Sequence, residues 1–350
     1  MARRSFADFG NALYTGETSV DFVGKRKLWY AISVVLIIIA IAGPFIRGGF
    51  QFGIEFTGGS QFQVHVPAGT DRDPAVAERA VAEVLPSSVP RISVLGQNEV
   101  RVQTEALEDA ENRSLTEALA AGYGIDTSDV TYSFIGPAWG QDITRQAVVA
   151  LIVFILLSAL VMAIYFRTWK MSLAALVALF HDLIITAGIY GLAGFEVTPA
   201  AMIGFLTILG YSLYDTVVVF DKIRENTAPT EMGEQRTFAE AVNLAVNQTL
   251  VRSINTSVVA LLPVASILFI GAGLLGAGTL RDISLALFIG ILVGAYSTIF
   301  VAAPVYVHLR EREKAIVDRD KKVLRKRERD AVAADKGELV SVDSASAEEE

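Results

Sequence analysis

Long apolar stretches recur along this chain at 28–46 and again at about 144–166, 171–192, 199–221, 254–272 and 283–306. Each approaches the roughly 20 residues that a helix needs to cross a hydrocarbon core, so the pattern predicts a polytopic α-helical membrane protein with six spans. The first stretch follows Lys25-Arg26-Lys27, yet no small-residue cleavage site comes after it. It therefore reads as an uncleaved span rather than a removed leader.

Residues 47–142 keep a different rhythm. Ser60–Val66 alternates as a strand does, and Pro74–Leu85 has the helical period behind the N-cap candidate Asp73. Arg91–Leu95 and Glu99–Gln103 flank the turn Gly96-Gln97-Asn98, Ala106–Ala121 is again helical, and Val130–Ile135 closes the set. The order β-α-β-β-α-β predicts an α+β, ferredoxin-like domain in water between the first and second spans. His65, on a strand, reads as a surface residue. Between 227 and 251, Phe238, Val242, Leu244, Ala245 and Leu250 predict a helix lying along the membrane surface before the fifth span. Residues 309–350 form a charged tail whose Ser/Ala/Glu-rich end is expected to be disordered.

Composition agrees with this division: 52% of the 350 residues are hydrophobic and the mean hydropathy is +0.45, too apolar for an ordinary soluble domain. Cysteine is absent, and His65, His181 and His308 lack ligand spacing, so neither disulfide nor metal site is expected. The net charge of −8 conceals a segregation of signs. Lys25 to Lys27, Arg167 and Lys170, then Lys222, Arg224 and Arg236, and the 310–329 cluster fall on one side, against Arg47, Arg145 and Arg281 on the other. The positive-inside rule assigns the first side to the cytoplasm, with both termini, segment 1–27 included, and leaves 47–142 outside. The basic part of the tail has two readings, contact with anionic lipid headgroups or ribosomal RNA, and a merely solvated helix. Nucleic acid is not otherwise expected as a partner.

Asp215 is the costliest residue in the apolar pattern. A carboxylate at bilayer depth costs roughly 2.5–3.5 kcal/mol on insertion scales, so it belongs beside a protein partner or a water path. A proton is its natural ligand, because burial disfavours the charged form; the competing reading is an Asp that only bonds a hydroxyl to join two helices. Counted from Pro199, Asp215 lies about 24 Å into the bilayer, near the depth at which Arg252 enters on the antiparallel fifth span. Pairing with Asp215 and snorkelling to the headgroups are both open to Arg252. Asn255 and Thr256, with Ser257, add hydrogen-bonding groups a turn further in, and Tyr211 stands one turn before Asp215 on the same side. Mid-way along the third span, His181 and Asp182 point about 100° apart and form either a proton-relay element or a structural hydrogen bond. Asp221, followed by Lys222, Arg224 and Glu225, reads as a boundary residue that pairs locally. Gly188, Gly191 and Gly194 and the run Gly271–Gly278 read as close-packing or turn signals.

Phe56-Thr57-Gly58-Gly59 outside the first span, Gly136-Pro137 before the second, His181-Asp182, "GYSLYDTVVVFDKIREN" from Gly210 to Asn226 and "RSINTS" from Arg252 to Ser257 stand in an order that resembles the SecF branch of the SecD/SecF family of bacterial protein-export membrane proteins. The likeness covers nearly the whole chain. It implies a transporter of the resistance-nodulation-division type in the bacterial inner (plasma) membrane, paired with a similar six-span SecD-like subunit. Such a unit associates with the SecYEG channel and uses the proton gradient to draw unfolded preproteins outward after the SecA ATPase has pushed them. By position, Asp215 and Arg252 match the family's embedded charged residues implicated in proton passage, and the outside domain matches a periplasmic domain thought to move during release. Where many relatives carry Asn before the acid of the fourth span, this chain has Tyr214. A small-molecule or lipid exporter of the same superfamily is a second reading, though it predicts a second outside domain and a second set of spans in one chain. A structural scaffold of the channel is the third. An enzyme is not expected, since no catalytic constellation or phosphate-cradling motif occurs, and no cofactor beyond the coupling proton is implied.

Overall fold

The computed structural model describes residues 6–67, 72–95, 98–166, 168–228, 235–272 and 278–346. Six of its helices are long and apolar enough to cross a membrane: Arg26–Ile46, Pro137–Phe166, Trp169–Ala193, Pro199–Asn226, Phe238–Gly271 and Thr279–Arg310.

The chain starts with helix α1 (Phe6–Thr15), which the polar look of segment 1–27 does not announce. Leu13 and Ala12 are buried, and the loop after α1 is fastened to the fifth span by two asparagines. Asn243 Oδ1 accepts from Phe22 N–H at 2.9 Å and Asn247 Oδ1 from Val20 N–H at 2.8 Å. Helix α2 (Arg26–Ile46) is the first span. After it come strand β1 (Gln51–Phe52) and the single turn α3 (Ile54–Thr57), which leads into β2 (Gly59–His65).

The predicted elements of 47–142 are all present within a few residues. They are β2, α4 (Pro74–Val84), β3 (Arg91–Leu95), β4 (Glu99–Thr104), α5 (Asp109–Tyr123) and β5 (Val130–Ile135). Asp73 caps α4 by accepting from Ala75 N–H, as predicted, and a Glu108–Glu111 capping box sets the start of α5 three residues later than periodicity suggests. The strands form one antiparallel sheet in the order β3-β4-β2-β5. Phe62, Val64, Val100 and Val102 alternate inward and close a core with Leu115, Leu119 and Tyr123 of α5. His65 is exposed. Of the turn Gly96-Gln97-Asn98, the first two residues lie outside the described residues.

The bundle follows with α6 (Pro137–Phe166), α7 (Trp169–Ala193), strand β6 (Glu196–Val197), α8 (Pro199–Asn226) and α9 (Phe238–Ser266), whose end continues as a π-helical turn at Ile267–Ala272. Helix α10 (Gly278–Ser297), a second π turn at Thr298–Ala302 and α11 (Ala303–Arg310) make the sixth span. The separate surface helix expected before the fifth span is not found. A Thr237–Glu240 capping box starts α9 at Phe238, and the helix runs unbroken into the span, because Phe238, Val242, Ala245 and Val246 bury in the bundle core. The tail, expected to be partly disordered, is helical as α12 (Lys314–Ser346), in keeping with its run of Lys, Arg, Glu and Ala, all strong helix formers. Residues 347–350 and most of the Gly271–Gly278 run lie outside the described residues.

Small residues let two helices touch. A Cβ added at Gly188 of α7 would collide with Ala40 of α2, and one at Gly191 with Pro44. The predicted role of these glycines in close packing is thus met where α2 and α7 cross. Between the α+β domain and the bundle, β1 and β6 pair in parallel, Gln51 with Glu196 and Phe52 with Val197.

Candidate functional site

Helix α8 carries the acid that the pattern singled out. Asp215 is buried at 5% exposure, between α8 and the antiparallel α9. Its Oδ1 accepts from the Ser253 hydroxyl at 3.0 Å, while its Oδ2, also buried, has no hydrogen-bond partner among the described residues. Of the two readings open to Arg252, pairing with Asp215 is not formed: among the described residues no ion pair within 4 Å joins them. Consecutive helical residues point about 100° apart. The face of α9 toward α8 is taken by Thr249 and Ser253, so Arg252 falls on the exposed flank. Asn255 is exposed as well, and Thr256 turns its hydroxyl back to the Arg252 carbonyl at 2.8 Å. These three residues therefore do not reach the carboxylate. Tyr211 does lie on the Asp215 side, with its hydroxyl buried and directed toward Ser257 without a hydrogen bond of normal geometry.

One turn before Asp215, Ser212 makes the link to the third span. Its hydroxyl donates to Asp182 Oδ2 at 2.5 Å. The other oxygen of Asp182 meets His181 Nδ1 at 3.2 Å, so the adjacent residues bond each other while Asp182 also holds α8 through Ser212. The His181 ring stacks on Tyr296 of α10 at 5.8 Å, and the Tyr296 hydroxyl reaches Ser33 of α2 at 3.2 Å. Thr216, beside Asp215, bonds Thr298 at 3.1 Å where α10 passes into its π turn. A polar line thus runs from Ser33 through Tyr296, His181, Asp182 and Ser212 to the turn of α8 that holds Asp215, which Ser253 of α9 meets from the other side. Sequence reasoning missed Ser212, Ser253, Thr216, Tyr296 and Thr298. Only Ser212, three residues before Asp215 and hence on its face, carried a signal that spacing could have used.

Asp221 accepts from the Tyr165 hydroxyl of α6 at 2.6 Å instead of pairing with its own basic neighbours, and Lys222 takes Glu225 at 2.6 Å.

The Phe56–Gly59 motif forms the root of the α+β domain. Gly58 ends α3 at a φ of 75° and Gly59 opens β2 at 139°, backbone states that side chains resist. A Cβ at Gly59 would stand 2.5 Å from the Thr104 carbonyl, and one at Gly58 would meet Pro137. The Thr57 hydroxyl bonds the Gly53 carbonyl at 3.2 Å, and Gly140 packs on the Phe56 carbonyl. Gly136 and Pro137, far away in sequence, therefore abut the first motif and launch α6 from it. Next to this root, Glu55 has a buried oxygen with no hydrogen-bond partner among the described residues. Burial pushes its carboxyl above its ordinary value; its own backbone N–H opposes this, Glu196 adds to it, Arg101 opposes it, and Asp282 adds to it.

A bundle of apolar helices with a line of buried ionisable and hydroxyl groups, and an α+β domain rooted between its first two apolar helices, defines a membrane protein of the transport class. The family described as "Protein export membrane protein SecD/SecF, C-terminal" matches residues 115–312, and the "SecD/SecF GG Motif" matches residues 45–66. The Protein translocase subunit SecF of Streptomyces coelicolor is 44% identical over 96% of this chain and 89% of its own length. The subunit of that description from Mycobacterium tuberculosis is 42% identical over 91% and 73% respectively. The crystal structure of SecDF, a translocon-associated membrane protein from Thermus thermophilus, superposes with a TM-score of 0.73 at 32% identity, over 84% of this chain and 39% of that one. The chain belongs to the SecD/SecF family of protein export membrane proteins.

Proposed function

We propose that this chain is a proton-gradient-driven subunit of a bacterial Sec preprotein translocase, promoting late export of unfolded proteins beside a SecD-like partner. The carrying observation is the Asp215 carboxylate, buried between two spans with one hydroxyl donor and one unpartnered oxygen. Ionised, such a group is expensive in hydrocarbon; protonated, it is not. Gaining or losing the proton therefore alters the packing that α8 and α9 prefer, with Arg252 on the flank as the cation that the ionised acid draws inward. The Asp182–His181 pair, tied to α8 by Ser212, continues the route for protons. One charge falling through 100 mV supplies about 2.3 kcal/mol, enough to bias a two-state helix packing.

The partner reading is supported by what the bundle leaves uncovered. Helices α6 and α9 bury little of their apolar stretches, and Tyr214, Arg252 and Asn255 are exposed. Polar groups there call for protein cover rather than lipid. The SecDF relative is more than twice as long as the part this chain matches, which leaves length for a SecD-like half. The strand order β3-β4-β2-β5 favours reading the α+β domain as ferredoxin-like, and the segregated basic residues favour an inner-membrane placement with cytoplasmic termini and that domain outside. SecYEG would supply the channel and SecA the earlier push. The role is mechanical, with protons as the coupling ion, no cofactor, and no covalent chemistry.

Asp215→Asn keeps size and hydrogen bonding but cannot ionise. It is expected to abolish gradient-dependent stimulation of preprotein export in membrane vesicles while the subunit accumulates normally. Full stimulation in that variant would exclude the proton-driven mechanism and favour a scaffold.

A further inference from the structure

The α+β domain is attached to the bundle covalently at two places, after α2 and before α6. A third attachment is not covalent. It is made by β6, two residues long, at the head of α8. β6 pairs with β1, and Gly53 N–H donates to the Val197 carbonyl at 3.0 Å. The Glu196 side chain reaches past this pairing into the four-stranded sheet. Its Oε2 meets Arg101 Nη1 at 3.2 Å and its Oε1 accepts from Gln103 Nε2 at 2.7 Å. Gln103 also donates to Gln61 Oε1 at 3.0 Å, so the grip takes hold of β4 and β2, the two central strands. The Arg101 and Glu196 side chains are 12% and 14% exposed, and beside them lies a polar cavity of about 150 Å³ lined also by Arg91, Arg281 and Asp282.

On its other side Glu196 is two residues from Thr198, the N-cap of α8. The Thr198 hydroxyl accepts from Ala201 N–H and donates to Asp282 Oδ2 at 2.8 Å, while the Tyr190 hydroxyl bonds the Asp282 carbonyl at 3.1 Å. The heads of α8 and α10 are thereby pinned together. Further along, a Cβ at Gly204 would stand 2.6 Å from Ala286, one at Gly290 would collide with Ile208, and one at Gly294 would lie 3.2 Å from Ser212. Backbones so close move as one body. That body carries Ser212 and Asp215, the latter about 24 Å along α8 from Pro199.

We infer that Glu196, clasped by Arg101 and Gln103, is the positioning residue through which displacement of the α8–α10 pair is passed to the α+β domain. The inference rests on the proton-driven reading of Asp215. It differs from a fold-stabilising role, because Glu196 joins two bodies, each with its own core, at the head of the helix whose packing the proton changes.

The test uses the full chain with its native membrane partners. Glu196→Gln is expected to lower gradient-dependent stimulation of export by about threefold or more. The exchange of charges, Arg101→Glu with Glu196→Arg, is expected to restore a substantial part of it. Throughout, the pH dependence with which a hydrophobic carbodiimide modifies Asp215, read by peptide mass spectrometry, should match that of the unaltered chain. Full stimulation in Glu196→Gln overturns the inference. So does a shifted Asp215 modification profile, which would make Glu196 a support of the acid site, and so does a charge exchange that restores nothing while the subunit accumulates normally. If Asp215→Asn retains stimulation, the proton reading falls and takes this inference with it. If Asp215→Asn is inactive and Glu196→Gln is normal, only the inference falls.

Discussion

Ser212 stands with its hydroxyl against Asp182, and that contact shows how little separates a satisfied buried acid from an expensive one. Removing the hydroxyl leaves a buried carboxylate oxygen unpaired, a loss of about 1–3 kcal/mol. Ser212→Ala is therefore expected to lower the melting temperature of the detergent-solubilised protein by several degrees. Thr207→Ala, which removes an exposed hydroxyl that only bonds its own helix at Ile203, should leave it unchanged. Equal melting of the two variants would mean that the Asp182–Ser212 bond contributes nothing. At this scale the sequence discloses acids and conceals their donors. Asp182, His181 and Asp215 stand out because an ionisable group among aliphatic ones has no cheap explanation. Ser212 and Ser253 do not, since hydroxyls occur in spans for many reasons. Arg252 keeps two readings in the sequence for a related cause: equal depth on neighbouring helices fixes height but not direction, and one step of about 100° gives the contact to Ser253.

Helix positions are legible in the hydrophobic period because the bilayer imposes their length, and five of the six spans lie where that pattern puts them. The beginning of α9 is not, because its first turns are amphipathic and resemble a surface helix. The signal that settles it is the Thr237–Glu240 capping box, a local signature that outranks the pattern downstream. Helix α1 is hidden for the opposite reason, being too short for its period to stand out from a polar terminus. Contact between elements is readable only as far as glycine spacing goes. At Gly188 the α7 backbone lies on Ala40 of α2, and Gly188→Val would force the two apart at an overpacking cost of about 1–3 kcal/mol or more. The measurable outcome is a reduced fraction of α2–α7-packed protein surviving mild heating in detergent. Gly210→Val, where an added Cβ meets nothing within 4 Å, should survive as the unaltered chain does. Equal loss from both would refer the effect to helix propensity instead of packing.

For the molecule as a whole, the uneven covering of the bundle is the feature with most consequence. Helices α7, α8 and α10 bury half or more of their apolar stretches, whereas α6 and α9 bury little. Exposed apolar residues in a membrane are unremarkable by themselves, because lipid covers them. Tyr214, at 56% exposure, is different: it sits on the turn of α8 that carries Asp215, and Arg252 and Asn255 of the neighbouring α9 are exposed as well. A phenol, a guanidinium and an amide at this depth want hydrogen-bonding company that acyl chains do not offer. A second membrane subunit seated across α8 and α9 would provide it and would place its own groups within reach of the acid site. The chain has no cysteine, so an introduced one reports alone. Tyr214→Cys is expected to react with a lipid-soluble maleimide when the chain is produced by itself and to be protected when a SecD-like partner is co-produced. Val89→Cys, on the 93%-exposed surface of the α+β domain, should react equally in both cases. Undiminished labelling of Tyr214→Cys in the presence of a bound partner would place the partner on another face, leaving Arg252 and Asn255 to be covered by something else.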